Sequence, residues 1–184
     1  MRMGLAKLSL CALLLASLVA GANTVDYKKS RIGFTFKQMN VPVEGGFPKF
    51  TANVVFDTAN PEAGKVEIEV DLGSIDTGST DGDTEAKRKP WFYVENFPKA
   101  KFVSNSVKSA GPDRLLVSGT LTIKGRSRDV TVPVTMKRDA GGTIFEGTFA
   151  LLRLQDAIGE GPWADTETVA DEVQVRCRIF VAGA

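Results

Sequence analysis

Eight segments of this chain alternate apolar and polar residues with a period of two, and this alternation limits the fold more than any other sequence feature. The pattern is typical of strands that bury one face and expose the other. The clearest run is 65–72, KVEIEVDL, in which every second residue is apolar. The eight predicted strands are 31–39, 50–57, 65–72, 101–107, 114–124, 129–137, 143–154 and 172–181.

The segments between these strands are mostly short and rich in glycine, proline and aspartate, and they contain no long amphipathic helix. A βαβ architecture is therefore disfavoured, which leaves a sandwich or a closed barrel. Several predicted strands run to nine residues or more, longer than a compact sandwich usually needs. We predict an all-β fold in which eight antiparallel strands close into a barrel, a size that is either filled by side chains or holds one small ligand.

The stretch 74–102, between the third and fourth predicted strands, interrupts the alternation. It begins with turn residues, continues with a charged one-turn helix predicted at 83–89, and ends in an aromatic cluster that contains Trp91, Phe92 and Phe97. A long insertion inside a compact domain usually has a functional role. We expect the charged half to form a solvated entrance and the aromatic half to form a hydrophobic lid over one end of the barrel.

Residues 1–22 have the features of a secretory signal peptide. Arg2 and Lys7 precede an apolar run that ends in Ala-Gly-Ala, a small-residue cleavage site. The run is shorter than the about 20 residues that a membrane-spanning helix needs. We predict cleavage before Asn23, a mature domain at 23–184, a periplasmic or secreted location and no stable membrane span. A retained interfacial anchor remains the alternative.

The residue types present exclude several chemistries. The chain contains no histidine, which removes Ser–His and Cys–His nucleophiles and histidine ligation of zinc or haem. The net charge of +1 provides no basic patch for nucleic acid. Cys177 falls on the apolar side of its strand, which favours an inert structural thiol. Asp81, Asp83 and Glu85 lack the spacing of a calcium loop. We predict no catalytic residue and no metal site, although a pair of carboxylates suited to glycoside chemistry stays open.

Several motifs occur in the order seen in one known family. They are GFTFKQM from Gly33, SIDTG from Ser74, FYVENFPKAKF from Phe92, LTIKG from Leu121 and IGEGPWADT from Ile158. They resemble the YceI-like family of secreted lipid-binding proteins, and the similarity extends over essentially the whole chain after residue 22. This resemblance implies an elongated lipocalin-like barrel that binds a polyisoprenoid or similar long amphiphile in its lumen.

The chain departs from the family pattern at the predicted mouth of the barrel. Many relatives have histidine where this chain has Gln38 and Glu85, and an Asp-Phe-Phe motif where it has Pro90-Trp91-Phe92. These departures bear on which lipid is bound rather than on the fold.

Thirteen residues are expected to face a ligand, most of them inward-facing and apolar. They are Phe34, Phe36, Phe56, Ile68, Trp91, Phe92, Phe97, Ile123, Val134, Phe149, Leu151, Arg153 and Cys177. The competing interpretation is that these side chains simply fill the barrel. At the mouth, Arg153 and the basic residues 87–89 suit an anionic or hydroxyl head group, with a solvated face as the alternative for 87–89.

We therefore expect a carrier that sequesters an isoprenoid quinone, an isoprenoid alcohol or phosphate, or a fatty amide, with no cofactor other than that lipid. An enzyme that acts on such a lipid and a ligand-free envelope stress protein are the alternatives. Pro133 removes one backbone donor from its strand, which predicts a weakly paired position or a bulge. A homodimer that pairs this edge with a second copy is an open alternative.

Overall fold

The structure, a computed structural model, describes residues 23–183, which form one curled antiparallel sheet with a short helix over one end. The strands are β1 (Thr24–Val25), β2 (Arg31–Gln38), β3 (Val41–Gly46), β4 (Phe50–Val55), β5 (Lys65–Asp71), β6 (Lys99–Ser109), β7 (Arg114–Ile123), β8 (Arg126–Asp139), β9 (Gly142–Leu152) and β10 (Glu172–Ala182). The α-helix is α1 (Thr80–Ala86), and short 3-10 turns lie at Pro61–Ala63, Leu72–Ser74, Arg153–Asp156 and Gly161–Ala164. The predicted signal peptide lies outside the described residues.

The all-β antiparallel class is confirmed, and each of the eight predicted strands is present. The strand count is ten rather than eight, because β1 pairs with β10 and because the segment 40–46, predicted as a loop, contains β3. Pro42 and the pair Gly45-Gly46 favoured a loop at that position. Since β3 lies at one edge of the sheet, Pro42 can occupy it without breaking a central ladder.

The predicted antiparallel barrel is confirmed as a curled sheet, which forms a half-barrel because, in the part of the chain that the structure describes, hydrogen bonds between strands do not close it all the way round. The strand order is β3-β2-β10-β9-β8-β7-β6-β5-β4, and within residues 23–183 the two edge strands do not pair with each other. Other contacts bridge the gap between them. The hydroxyl of Tyr27 accepts a hydrogen bond from the Ala52 N–H at 3.2 Å. Gly46 and Asp76 exchange two backbone hydrogen bonds, at 2.8 and 2.9 Å. We call this gap the edge seam.

A second discontinuity lies between β8 and β9. Their ladder ends at Val134, opposite Gly147, so the first half of β8 pairs with β7 alone within the described sheet. Pro133 comes directly before Val134, so among the described residues it has a strand partner on the β7 side only. This confirms the weakly paired position that was predicted for Pro133. Beyond the end of the ladder, Nε of Arg128 donates to both carboxylate oxygens of the buried Asp156, at 3.2 and 3.1 Å.

The interior of the half-barrel is packed differently at its two ends. At one end, seven buried residues form a dense cluster: Val54, Phe56, Val107, Leu115, Val117, Ile179 and Val181. At the other end, the inward residues surround open space and contact the insertion instead, with Phe34 packed beside Ile75 and Ala86. Fully burying one such large apolar side chain contributes about 1.5–3 kcal/mol, so the dense end stabilises the fold while the other end stays hollow.

No helix within residues 23–183 is both long enough and apolar enough to span a membrane.

Candidate functional site

The hollow end of the half-barrel encloses a cavity of about 850 Å³. This volume lies in the range of about 300–1,000 Å³ that is usual for small-molecule sites. Its wall consists mainly of inward-facing strand residues, among them Phe34, Phe36, Phe149, Leu151, Val173 and Val175. Trp91 and Phe92 of the insertion close one side, so the wall is mainly apolar and rich in aromatic rings.

A second cavity of about 150 Å³ continues towards the dense end. Six residues line both spaces and form the constriction between them: Ile32, Val70, Ala100, Leu121, Phe149 and Val175. Along β10 the lining residues run from Val173 to Ile179, which spans about 20 Å of extended strand. The two cavities therefore form one elongated lumen with a wide end and a narrow end.

The helix of the insertion begins at Thr80, three residues before the predicted start at 83, because Ser79 caps it. The Ser79 hydroxyl accepts a hydrogen bond from the Gly82 N–H at 3.1 Å, as is usual for a serine N-cap. One Asp83 oxygen accepts from both the N–H and the hydroxyl of Thr77, at 2.6 and 2.7 Å. These bonds lower the pKa of the Asp83 carboxyl and hold the SIDTG turn against α1.

The charged half of the insertion forms part of the cavity wall as well as part of the solvent-exposed surface. We call the opening of the wide end the mouth. Its polar lining residues from the insertion are Thr77, Ser79, Asp81, Thr84, Glu85 and Arg88. Buried Ala86 anchors α1 to the interior. The predicted solvated entrance is thus a short helix with one face on the lumen.

A hydrogen bond joins two of the segments that line the mouth. Oε1 of Glu85 accepts from the indole N–H of Trp163 at 3.0 Å, and Oε2 accepts from Nη1 of Arg88 at 2.9 Å. Trp163 belongs to the 3-10 turn Gly161–Ala164, and its ring lies 5.5 Å from that of Trp91 in the insertion. Glu85 therefore joins α1 to the 3-10 turn that contains Trp163, and it pairs with Arg88, the one basic residue of 87–89 that lines the cavity. Lys87 and Lys89 are exposed and line neither cavity.

Arg153 has a different role from the head-group contact that the sequence suggested. Its side chain is 1% exposed. All five guanidinium N–H groups donate to backbone carbonyl oxygens at 2.6–3.1 Å, those of Ile158, Gly159, Trp163, Val169 and Ala170. A guanidinium has five donors, so none remains for a ligand. Burial lowers the pKa of Arg153, and the guanidinium also lies over the Trp91 ring, 5.5 Å from its centroid. A side chain at position 159 would overlap Nη1, which explains the glycine.

A second cation joins the two segments that cover the lumen. Nζ of Lys124 donates to the carbonyl oxygens of Lys89 and Ala157, at 2.9 and 2.6 Å, and to Oε2 of Glu160 at 2.9 Å. The pairing lowers the pKa of Glu160. The N–H groups of Gly159 and Glu160 also both donate to the carbonyl of Pro90, at 2.8 Å. The insertion and the segment 153–171 are therefore held together as one cover.

The structure brings most of the predicted ligand-facing residues to the lumen. Lining the large cavity are Phe34, Phe36, Trp91, Phe92, Ile123, Phe149, Leu151 and Arg153. Lining the small cavity are Phe56, Ile68, Val134, Phe149 and Cys177. Phe97 lines neither cavity. Its ring lies 6.0 Å from that of Tyr93 and packs under the β7–β8 turn at Gly125, because the chain reverses at Tyr93, where φ is +50°.

Some lining residues were not predicted. Val173 and Val175 share the strand parity of Cys177, so the alternation in 172–181 could have identified them. Phe47 and Trp163 lie between strands, where no periodic pattern indicates which way a side chain faces.

Cys177 lies in the apolar wall of the small cavity, where burial raises its pKa to about 11. A thiol with this pKa is almost entirely protonated near neutral pH and is a weak nucleophile. Within residues 23–183, no three His, Cys, Asp or Glu side chains come together in a way that suits a metal ion.

An antiparallel sheet that curls around an elongated apolar lumen, with one end covered by a short helix and loops, defines a lipocalin-like class of β-proteins. The model of the YceI-like domain family matches residues 24–181, and the chain belongs to that family.

Relatives support this assignment. A UPF0312 protein of Pseudomonas savastanoi is 32% identical over 151 residues, which cover 79% of this chain and 75% of that protein. The crystal structure of Burkholderia cenocepacia BcnA aligns with a TM-score of 0.83 at 40% identity, over 86% of this chain and 99% of that one. A polyisoprenoid binding domain from Saccharophagus degradans, implicated in plant cell wall breakdown, shares the fold at 16% identity, with a TM-score of 0.69 over 89% of this chain and 99% of that one.

Proposed function

We propose that this protein binds a long-chain isoprenoid or a similar amphiphilic lipid in its lumen, and that it carries or sequesters this lipid without altering it. The cavity of about 850 Å³ with its aromatic and aliphatic wall is the observation that carries the proposal. A wall of this kind favours an apolar chain through the hydrophobic effect and offers few polar partners to anything else. The shared fold with a polyisoprenoid binding domain is in keeping with such a ligand.

The groups at the mouth favour an uncharged head group over a phosphate. The side-chain N–H groups of Arg153 and Lys124 all donate to acceptors within the protein, and Arg88 pairs with Glu85. The remaining polar lining includes the Gln38 amide and the hydroxyls of Ser79 and Thr84. These groups suit the hydroxyl of an isoprenoid alcohol, the carbonyl of a quinone or an amide.

A carrier is favoured over an enzyme that acts on the same lipid. The chain has no histidine to serve as a base, and the pKa of its thiol in the lumen is raised to about 11. The periplasmic or secreted location belongs to the same proposal and rests on the sequence of residues 1–22.

Organic extraction of the purified protein followed by mass spectrometry tests the proposal. We expect one lipid of high mass per chain. Repeated empty extracts from protein made in its native host would contradict binding, and recovery of a chemically altered lipid after incubation would favour an enzyme.

A pair of neighbouring substitutions sharpens this experiment. Phe149 lines both cavities, whereas Thr148 is exposed on the outer face of the same strand. Phe149→Asp is expected to abolish lipid retention, and Thr148→Asp is expected to leave it unchanged. Circular dichroism of both variants separates loss of lipid from loss of fold.

A further inference from the structure

The turn between β2 and β3 carries the two most exposed large apolar side chains of the described chain. Met39 is 70% exposed and Val41 is 61% exposed. They lie in the segment 37–43, KQMNVPV, which we call the hairpin apex. Exposed apolar side chains that adjoin one another, unlike scattered ones, indicate a contact surface.

Folding alone does not explain the methionine. Gln38 pairs with Val41, so Met39 and Asn40 form a two-residue turn, with φ of +50° and +62°. Such turns favour Asn-Gly, and a bulky residue in this left-handed region is strained. Met39 therefore adds strain to the turn while its side chain contributes almost nothing to the core.

The apex is held rigidly at the mouth of the lumen. The Met39 N–H donates to the Thr168 carbonyl at 2.9 Å, and the Ala170 N–H donates to the Lys37 carbonyl at 3.0 Å. Gln38 and Val43, on either side of the turn, line the large cavity. A surface that contacts the apex is thus brought directly to the opening.

We propose that the hairpin apex is a docking element that inserts its apolar side chains into the surface of a lipid bilayer, so that the mouth opens onto the membrane from which cargo is taken or to which it is delivered. This inference rests on the proposed function and names its partner.

The charges around the apex favour a zwitterionic bilayer. The apex contains one lysine and no acid, and the next residue, Glu44, pairs with Arg176 at 2.9 Å. The adjoining segment 160–171 contains four acidic residues and no basic residue. It therefore repels a strongly anionic surface, while the lysine can reach lipid phosphates as the methionine and valine enter the acyl boundary.

A fluorescent label at the apex tests the inference in the full chain. Val41→Cys is made in a Cys11→Ala background and labelled with an environment-sensitive nitrobenzoxadiazole dye at neutral pH, where the raised pKa of Cys177 keeps that remaining thiol unreactive. On addition of phosphatidylcholine vesicles we expect the emission to shift to shorter wavelength and to intensify. The same dye at Leu116→Cys, on the outer face of β7, is expected not to respond.

Flotation with the same vesicles measures the affinity. Met39→Asn together with Val41→Thr is expected to weaken partitioning at least about tenfold. Asparagine tolerates positive φ, so the hairpin should fold as before. Val103→Thr together with Leu116→Asn removes exposed apolar surface elsewhere and is expected to have no effect. Residues 1–22 are common to all variants, so any contribution they make cancels.

Several results would overturn the docking element. One is an apex label that does not respond to vesicles, and another is an equal response at the two label positions. A stronger response to phosphatidylglycerol than to phosphatidylcholine would also contradict it. So would an emission shift that appears with rising protein concentration alone, because that shift would report contact with a second copy of the chain. Lipid extraction is measured in parallel. Bound lipid with a silent label refutes docking and leaves the proposed function intact, whereas a responding label with empty extracts refutes the proposed function and leaves docking intact.

Discussion

Replacing Arg153 by lysine tests whether this residue holds the cover of the lumen or binds a ligand head group. An ammonium group has three donors where the guanidinium has five, so at least two of the five backbone carbonyls lose their partner. Each buried carbonyl left without a partner costs about 1–3 kcal/mol, which gives a loss of about 2–6 kcal/mol for Arg153→Lys. This is a large part of the about 5–15 kcal/mol that is usual for a whole domain.

The loss is expected to be local to the segment 153–171, because all five carbonyls belong to it. Urea denaturation measures the free energy of unfolding, and hydrogen exchange shows which amides lose protection. Arg138→Lys, at an exposed position of β8, is the matched control and should stay within about 0.5 kcal/mol of the unchanged protein. An Arg153→Lys protein of undiminished stability that loses only its lipid would refute the structural role and restore the head-group contact.

Three further predictions concern the lumen. Ala100→Phe fills the constriction, so long isoprenoid chains should bind more weakly while short ones bind as before. Titrations with isoprenoids of different chain length check this, and Ala150→Phe on the outer face of β9 is the control. Equal binding of long and short chains to the Ala100→Phe protein would contradict the prediction. Because the folded state raises the pKa of Cys177 from 9.0 to about 11, the neutral thiol is favoured, and stability that is present below pH 9 should be lost between pH 9 and 11. The loss amounts to about 3 kcal/mol and should be absent in Cys177→Ala, so identical alkaline denaturation curves would refute it. Trp163→Phe removes the bond to Glu85 at the mouth. Association and dissociation of a fluorescent hydrophobic probe should then both accelerate by about tenfold in stopped-flow traces, with little change in affinity, and unchanged rates would mean that the bond does not limit entry.

The sequence was informative wherever one face of a strand is buried. The pattern of 65–72 predicted β5 to within one residue, and 172–181 did the same for β10. The alternation that defines a strand also identifies its inward residues, which is why the aromatic wall of β2 could be predicted.

Features that depend on backbone partners from distant segments could not be predicted in the same way. The N–H groups of Arg153 donate to carbonyl oxygens whose positions depend on how the cover folds. No local sequence pattern indicates how many of these hydrogen bonds form. Phe97 shares its motif with Phe92, yet the reversal at Tyr93 turns it away from the lumen. At β3, proline and paired glycines masked a strand that is tolerated only because it lies at an edge.

The edge seam has a mechanical consequence. In a closed barrel the number of strands and their stagger fix the perimeter, so the interior can widen only if a whole ladder changes register. In this protein the three-residue link 47–49 joins the two edge strands covalently at one end. Elsewhere along the seam the connections are the hydrogen bonds of Asn23 and Tyr27 and the short bridge between Gly46 and Asp76. Releasing those few hydrogen bonds lets the wall expand away from the covalent link without disturbing any long strand pair. The perimeter is therefore adjustable at the end away from residues 47–49, so under the proposed function we expect the lumen to accept ligands of different width, such as a bulky ring followed by a slender chain.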